Sequence, residues 1–189
     1  MIKISEQVKG VWVDRDCAPI FTVDLTSSGA ERVVVALPAD ASSTFRSLAL
    51  TLPDPVQILY VLHTSRGEGA PGRYQSAEID AASLDRFLVR FESFLAGDAR
   101  CDLWVRSVSF GSMIVWDRHN VIFGYGDTQR QSQHLRELGF GQGSAQKLGL
   151  HQHNYRLEFD DDASDLLAYF QWSWVPLREE DEQSPEVEE

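Results

Sequence analysis

Apolar residues recur along this chain with two periods, 3.6 and 2, and the switches between them outline its elements. The clearest helical stretch is DAASLDRFLVRFESFLAG, residues 80–97. There Leu84, Phe87, Leu88, Phe91, Phe94 and Leu95 fall on one stripe. Asp80 stands where a side chain caps the first turn, and Ile79 and Leu84 occupy the two positions of a hydrophobic staple. Gly97 can close the far end. The pattern then changes. CDLWVRSV (101–108) alternates, SFGS supplies a turn, and MIVWD and NVIFGY are two further β-rich runs, which predicts a three-stranded meander over 101–125.

The remaining elements are read in the same way. A helix is expected over 127–138, with Asp127 or Thr128 as cap and Gly139 as stop, and another over 42–52, capped by Ser42 or Ser43. VQILYVLHT (56–64) is a continuous apolar run, expected as a buried central strand behind Pro53 and Pro55. KGVWV and PIFTVDL read as strands. Residues 29–37 stay open: Ser28 and Glu31 have capping-box spacing, whereas three consecutive valines favour a strand. HQHNYRLEFD (151–160) alternates, with His151, His153, Tyr155, Leu157 and Phe159 on one face, and a short helix over 163–171 follows the acidic run 160–162. RGEGAPGRYQS (66–76) is expected as a long glycine-rich loop. Strand runs and helix runs in this order predict an α+β fold, a mostly antiparallel sheet with helices packed on one face, in a single domain over 1–177.

Charge changes the picture at the end of the chain. The net charge is −12 over 189 residues, and 178–189 holds seven acids against one arginine. That segment is expected as a solvated, disordered acidic tail. An acidic body repels phosphate backbones, and no basic stripe or nucleic-acid motif is present, so nucleic acid is not an expected partner. Two cysteines, Cys17 and Cys101, imply no disulfide framework. The start of the chain lacks the apolar core of a secretory signal, and no run is long enough to span a bilayer, so a cytoplasmic, bacterial-type protein with no membrane partner is expected.

Candidate chemistry is sparse. Asp117-Arg118-His119-Asn120 lies between two strand runs. Turn chemistry accounts for Asp117 and Asn120, since Asp bonds its own backbone two residues on and Asn tolerates positive φ. The functional alternative makes His119 a general acid or base, oriented by Asp117, with Arg118 holding an anion. His151 and His153 share a strand face, a legitimate geometry for two metal ligands, but a third from His63, His119 or an Asp is required and no spacing supplies it. The five histidines and the acids are therefore expected to stay apart, with no metal and no cofactor. The glycine-rich loop lacks a GKS or GKT ending, and GFGQGS (139–144) follows a helix, the wrong context for a dinucleotide site.

These readings favour a small acidic intracellular protein that binds rather than catalyses. Its partner would be a protein, by charge a basic one, in the manner of an inhibitor or immunity protein, with Trp172, Trp174 and Tyr169 as binding candidates and homodimerisation as an option. The alternative is a hydrolase-type enzyme. Its site would gather His119, Asp117 and Arg118 at the 117–120 hairpin with Arg73 and Tyr74 of the 66–76 loop.

Overall fold

The computed structural model describes residues 2–14, 17–36, 38, 40–144 and 148–181. Nine strands form one sheet: β3 (Ile20–Leu25), β4 (Glu31–Ala36), β5 (Val56–Leu62), β6 (Gly72–Gln75), β7 (Cys101–Ser107), β8 (Met113–Trp116), β9 (Val121–Tyr125), β10 (Gly141–Gln142) and β12 (Ser173–Val175). Their order is β10-β3-β4-β9-β8-β7-β5-β6-β12, antiparallel except for the β10–β3 pair. A second, three-stranded antiparallel sheet runs β11-β1-β2, from β1 (Ile4–Val8), β2 (Val11–Val13) and β11 (His151–His153). The fold is α+β with a mostly antiparallel sheet.

Five α-helices lie among the described residues: α1 (Ala41–Ala49), α2 (Ala81–Arg90), α3 (Glu92–Gly97), α4 (Thr128–Glu137) and α5 (Asp160–Tyr169). Period 2 explains their placement. Ile58, Tyr60 and Leu62 of β5, Leu103 and Val105 of β7, and Ile114 and Trp116 of β8 point to one face. They join Phe45 and Leu48 of α1, Leu84 and Phe87 of α2, Phe94 of α3, Leu135 of α4 and Leu166 of α5 in one core. Asp80 caps α2 and Asp127 caps α4 through the backbone N–H groups of Ser83 and Arg130.

Several expectations need correction. The 80–97 helix breaks at Phe91, whose φ of −107° and ψ of 13° leave helical geometry while its ring stays buried. Helix α1 is capped by Asp40, not Ser42 or Ser43, because the Asp40 carboxylate reaches the Ser43 N–H at 3.2 Å. Residues 31–36 are a strand. Ser28 sits in the tight turn closed by the Thr26 N–H on the Ala30 carbonyl, and pairing on both sides, with β3 and β9, buries the three valines. Within the glycine-rich loop, 72–75 form β6, where Gly72 leaves room for the Trp174 ring. The 151–160 strand ends at His153. Beyond it Arg156 gives its backbone N–H to Asp98 and its side chain to the Gly97 carbonyl, and 157–159 turn as a 3-10 helix into α5. In the terminal segment, 179–181 make a 3-10 turn and Asp181 is buried against Arg73 at 2.8 Å; residues 182–189 lie outside the described residues. No helix among the described residues is long and apolar enough to cross a membrane.

Candidate metal centre

The site begins with a hairpin turn. Antiparallel β8 and β9 need a tight reversal at 117–120, and Asn120 supplies it with φ of 61°, a left-handed conformation that Asn tolerates. Asp117 Oδ1 accepts the backbone N–H groups of His119 at 3.0 Å and Val121 at 2.8 Å. Its second oxygen, Oδ2, stands 3.2 Å from His119 Nδ1. The two oxygens of one carboxylate thus divide between shaping the turn and orienting the imidazole. The tip is held from three further directions. Lys3 Nζ donates to the Asp117 carbonyl at 3.1 Å, Asp102 Oδ1 accepts the Arg118 N–H at 2.7 Å, and Asn120 Oδ1 accepts the Trp116 indole N–H at 3.0 Å.

The small sheet brings up the rest. In β11, His151 and His153 are two residues apart and project from one face. The register pairs Ile4 with His153 and Glu6 with His151, so β1 carries β11 to the hairpin tip. The ring centroids of His119 lie 5.3 Å from His151 and 4.9 Å from His153, and those of His151 and His153 are 5.5 Å apart. One ligating nitrogen of each of the three histidines lies within 4.8 Å of the others, and all three side chains are half-buried. The expectation that the imidazoles stay apart is overturned. His119 is the missing third partner, and it is separated from the pair by more than thirty residues of chain.

Hydrogen bonding tells which nitrogens are available. A carboxylate and a carbonyl only accept, so His119 Nδ1–H donates to Asp117 and His151 Nδ1–H donates to the Gly149 carbonyl at 2.9 Å. Nε2 of both rings is left for an ion. His153 Nε2 is buried without a hydrogen-bond partner, a costly state for a polar atom. Burial first, then the charges of His119, Arg118 and His151, push the His153 pKa down to about 4, against the pull of Asp102. The ring is therefore neutral at pH 7, the form that ligates metal. Metal-bound histidines almost always give their other N–H to a carboxylate or carbonyl, as His119 and His151 do here. A tetrahedral site with metal–nitrogen bonds near 2.0–2.1 Å needs nitrogens roughly 3.3 Å apart. The three nitrogens stand within 4.8 Å of one another, so an ion would have to draw them closer.

The other candidates are placed elsewhere. His134 bonds Ser47 on α1. His63 Nε2 is 3.0 Å from Asp102 Oδ2, close enough for an ion pair but off the angle of a hydrogen bond. Asp102 is buried, which raises its pKa, yet the approach of His63, the charge of Lys3 and the Arg118 N–H outweigh this and hold it below the usual carboxylate range. Arg73 lies over the Trp104 ring and binds Asp181, and Tyr74 donates to the Ala70 carbonyl and packs on Tyr60. Neither bonds to the hairpin residues. Trp172 is half-buried in the core, with its indole N–H on the Leu166 carbonyl, and Tyr169 meets Phe87 and Phe91 edge to face. Trp174 is 47% exposed on the edge strand β12. Two grooves elsewhere, one lined by Cys17, Asp40 and Arg46 and one by Thr51, Phe110 and Arg130, include no histidine. The Cys101 thiol is buried and pushed up to about 12, too high for a nucleophile at neutral pH.

Sequence reasoning missed Lys3 and Asp102. Lys3 precedes a strand that was not foreseen, and Asp102 is one polar position in an alternating run. Compared with known proteins, the chain matches no family model, no curated protein and no solved structure. What the fold and site define together is an α+β protein with a three-histidine cluster at the junction of its two sheets.

Proposed function

We propose that this protein is a metal-dependent enzyme of the hydrolytic class, with one divalent transition-metal ion held by His119, His151 and His153. One observation carries the reading: three imidazoles from two separate strand systems converge, two of them already oriented by acceptors on their far nitrogens. Structural zinc sites are closed by four protein ligands, whereas three ligands leave a position for water, whose pKa the ion lowers toward 7. Imidazole donors suit zinc, copper, nickel and iron rather than magnesium or calcium.

The test is a competition titration with Zn²⁺ and Co²⁺, then assay of the loaded protein on activated esters and phosphodiesters. One equivalent should bind, and His119→Ala, His151→Ala and His153→Ala should each weaken binding at least about a hundredfold, since each removes one of three ligands. Turnover should vanish with a chelator and return with metal. Stoichiometric binding unaffected by the three substitutions would remove this reading.

A second reading, binding to a basic protein partner, is supported by a different observation. Trp174 and Val175 are half-exposed on β12, which has no further strand beside it among the described residues, on a chain of net charge −12. Affinity capture with Trp174→Ala as the comparison tests it: a partner retained equally by the variant would exclude this edge.

A further inference from the structure

Hydroxyl side chains on helices often return to the carbonyl one turn back, as Thr44 does to Asp40 at 2.7 Å and Ser164 to Asp160 at 3.0 Å. Ser47, on α1, is engaged differently. Its Oγ stands 2.7 Å from Nε2 of His134, which belongs to α4. The other ring nitrogen, Nδ1, faces Glu137 Oε2 at 3.7 Å, one turn along the same helix. Glu137 is steadied in turn, because its Oε1 accepts the side-chain N–H of Gln133 at 3.1 Å. A carboxylate only accepts, so the tautomer that turns Nδ1–H toward Glu137 leaves Nε2 to accept the Ser47 O–H. Hydroxyl, imidazole and carboxylate thus stand in the order of an activated nucleophile, its base and the group that orients the base. The 3.7 Å approach is longer than a hydrogen bond, and such contacts often tighten only with substrate in place.

A second observation gives this serine something to act on. Ser47 lines a groove of about 630 Å³, in the size range of small-molecule sites. Its wall is largely apolar, with Pro19, Pro38, Leu50, Leu138 and Phe140. The two charged groups there are engaged: Arg46 Nε bonds Asp85 at 2.6 Å, and Asp40 caps α1. His134 is not part of the lining, so the base stands behind the nucleophile rather than over the groove.

We propose that Ser47 is an acyl acceptor for neutral esters that carry an apolar acyl chain and an acidic leaving group. In the step itself, Ser47 Oγ bonds the acyl carbon as its proton passes to His134 Nε2. The bond from the acyl carbon to the leaving oxygen breaks, and that oxygen departs with the electron pair. An acidic leaving group is required because His134, behind the serine, is not placed to protonate it. For the same reason the base does not serve a water in the groove, and the acyl-serine accumulates. This site uses none of the three clustered histidines and is independent of the metal reading.

The experiment treats the full-length protein with p-nitrophenyl hexanoate in the presence of a chelator. A burst of one equivalent of nitrophenolate should appear, with one hexanoyl group mapped to Ser47 by peptide mass spectrometry. Ser47→Ala should lose this adduct. His134→Gln keeps an acceptor for the hydroxyl but removes the base, so it should melt as the parent does and acylate at least about a hundredfold more slowly. Glu137→Gln, changed at an exposed side chain, should slow acylation by a smaller factor. The acetyl ester should react at least about tenfold more slowly than the hexanoyl ester, since its short chain buries little in the groove. An adduct on another residue, no adduct on Ser47, or equal rates in the parent and in His134→Gln overturns the inference, and equal rates for the two esters remove the groove from it. His119→Ala should be acylated as the parent is, which keeps failure here distinct from failure of the metal centre.

Discussion

Asp117 joins folding and chemistry within one side chain. Asp117→Asn keeps an oxygen for the two turn N–H groups but loses the carboxylate that orients His119. The variant should fold normally and bind zinc about 10–100-fold more weakly, as read by competition with a chromophoric chelator. Asp102 makes a different prediction. Its folded pKa lies below the unfolded value of about 3.9, so it contributes stability that is present above that value and is lost as the pH falls through the lower folded one. Acid unfolding monitored below about pH 4 should therefore show a shallower loss in Asp102→Asn, which should already be less stable at neutral pH. An unchanged acid limb would show that Asp102 does not carry this linkage.

Among the elements, β1 deserves most weight for the site. Strand β11 is three residues long and pairs only with β1 among the described strands, so the positions of His151 and His153 depend on that partner. Ile4, 1% exposed, sits opposite His153 in a small apolar group with Cys17 and Leu148, separate from the main core. Ile4→Ala should destabilise this unit by about 2–5 kcal/mol. Hydrogen exchange should rise over 2–8 and 148–154 while β5 and β7 stay protected, and metal affinity should fall with it. The periodicity of α2 and the β7–β9 meander was legible in one dimension because each buries an apolar face, whereas α4, which buries Gln131, Ser132 and Leu135, was legible only from its cap at Asp127 and its stop at Gly139. Strand β1 was not: its residues ISEQV mix apolar and charged types, and its role comes from two partners distant in sequence.

On the scale of the whole molecule, a buried ionic knot fastens the parts together. Arg100 and Asp98 are fully buried, and Arg100 also bonds Glu68 of the loop after β5, Asp160 of α5 and the Arg156 carbonyl. Burial opposes its charge, but the bonds to Asp98, Asp160 and Glu68 hold it protonated well above its ordinary range. Next to it, the Ala99 N–H reaches the Asn154 carbonyl and the Asn154 N–H reaches Lys3, tying the small sheet to the large one. Arg100→Met should cost about 3–5 kcal/mol in urea unfolding, because Asp98 and Glu68 would be left buried without a counter-charge. A cost under about 1 kcal/mol would mean that the knot is worth no more than a solvent-exposed ion pair.

By itself the sequence determined what depends on local order. The spacing of apolar residues set the 80–97 helical stretch, the meander and the α+β class, cap and stop residues marked the helix after the meander, and turn chemistry set the 117–120 reversal. Only the tertiary structure decided what depends on distant approach. It chose the strand over the helix at 31–36, because two neighbouring strands satisfied that backbone. It also drew His119 to His151 and His153. Ligation requires nitrogens a few ångströms apart, a distance in space that no pattern along a chain encodes.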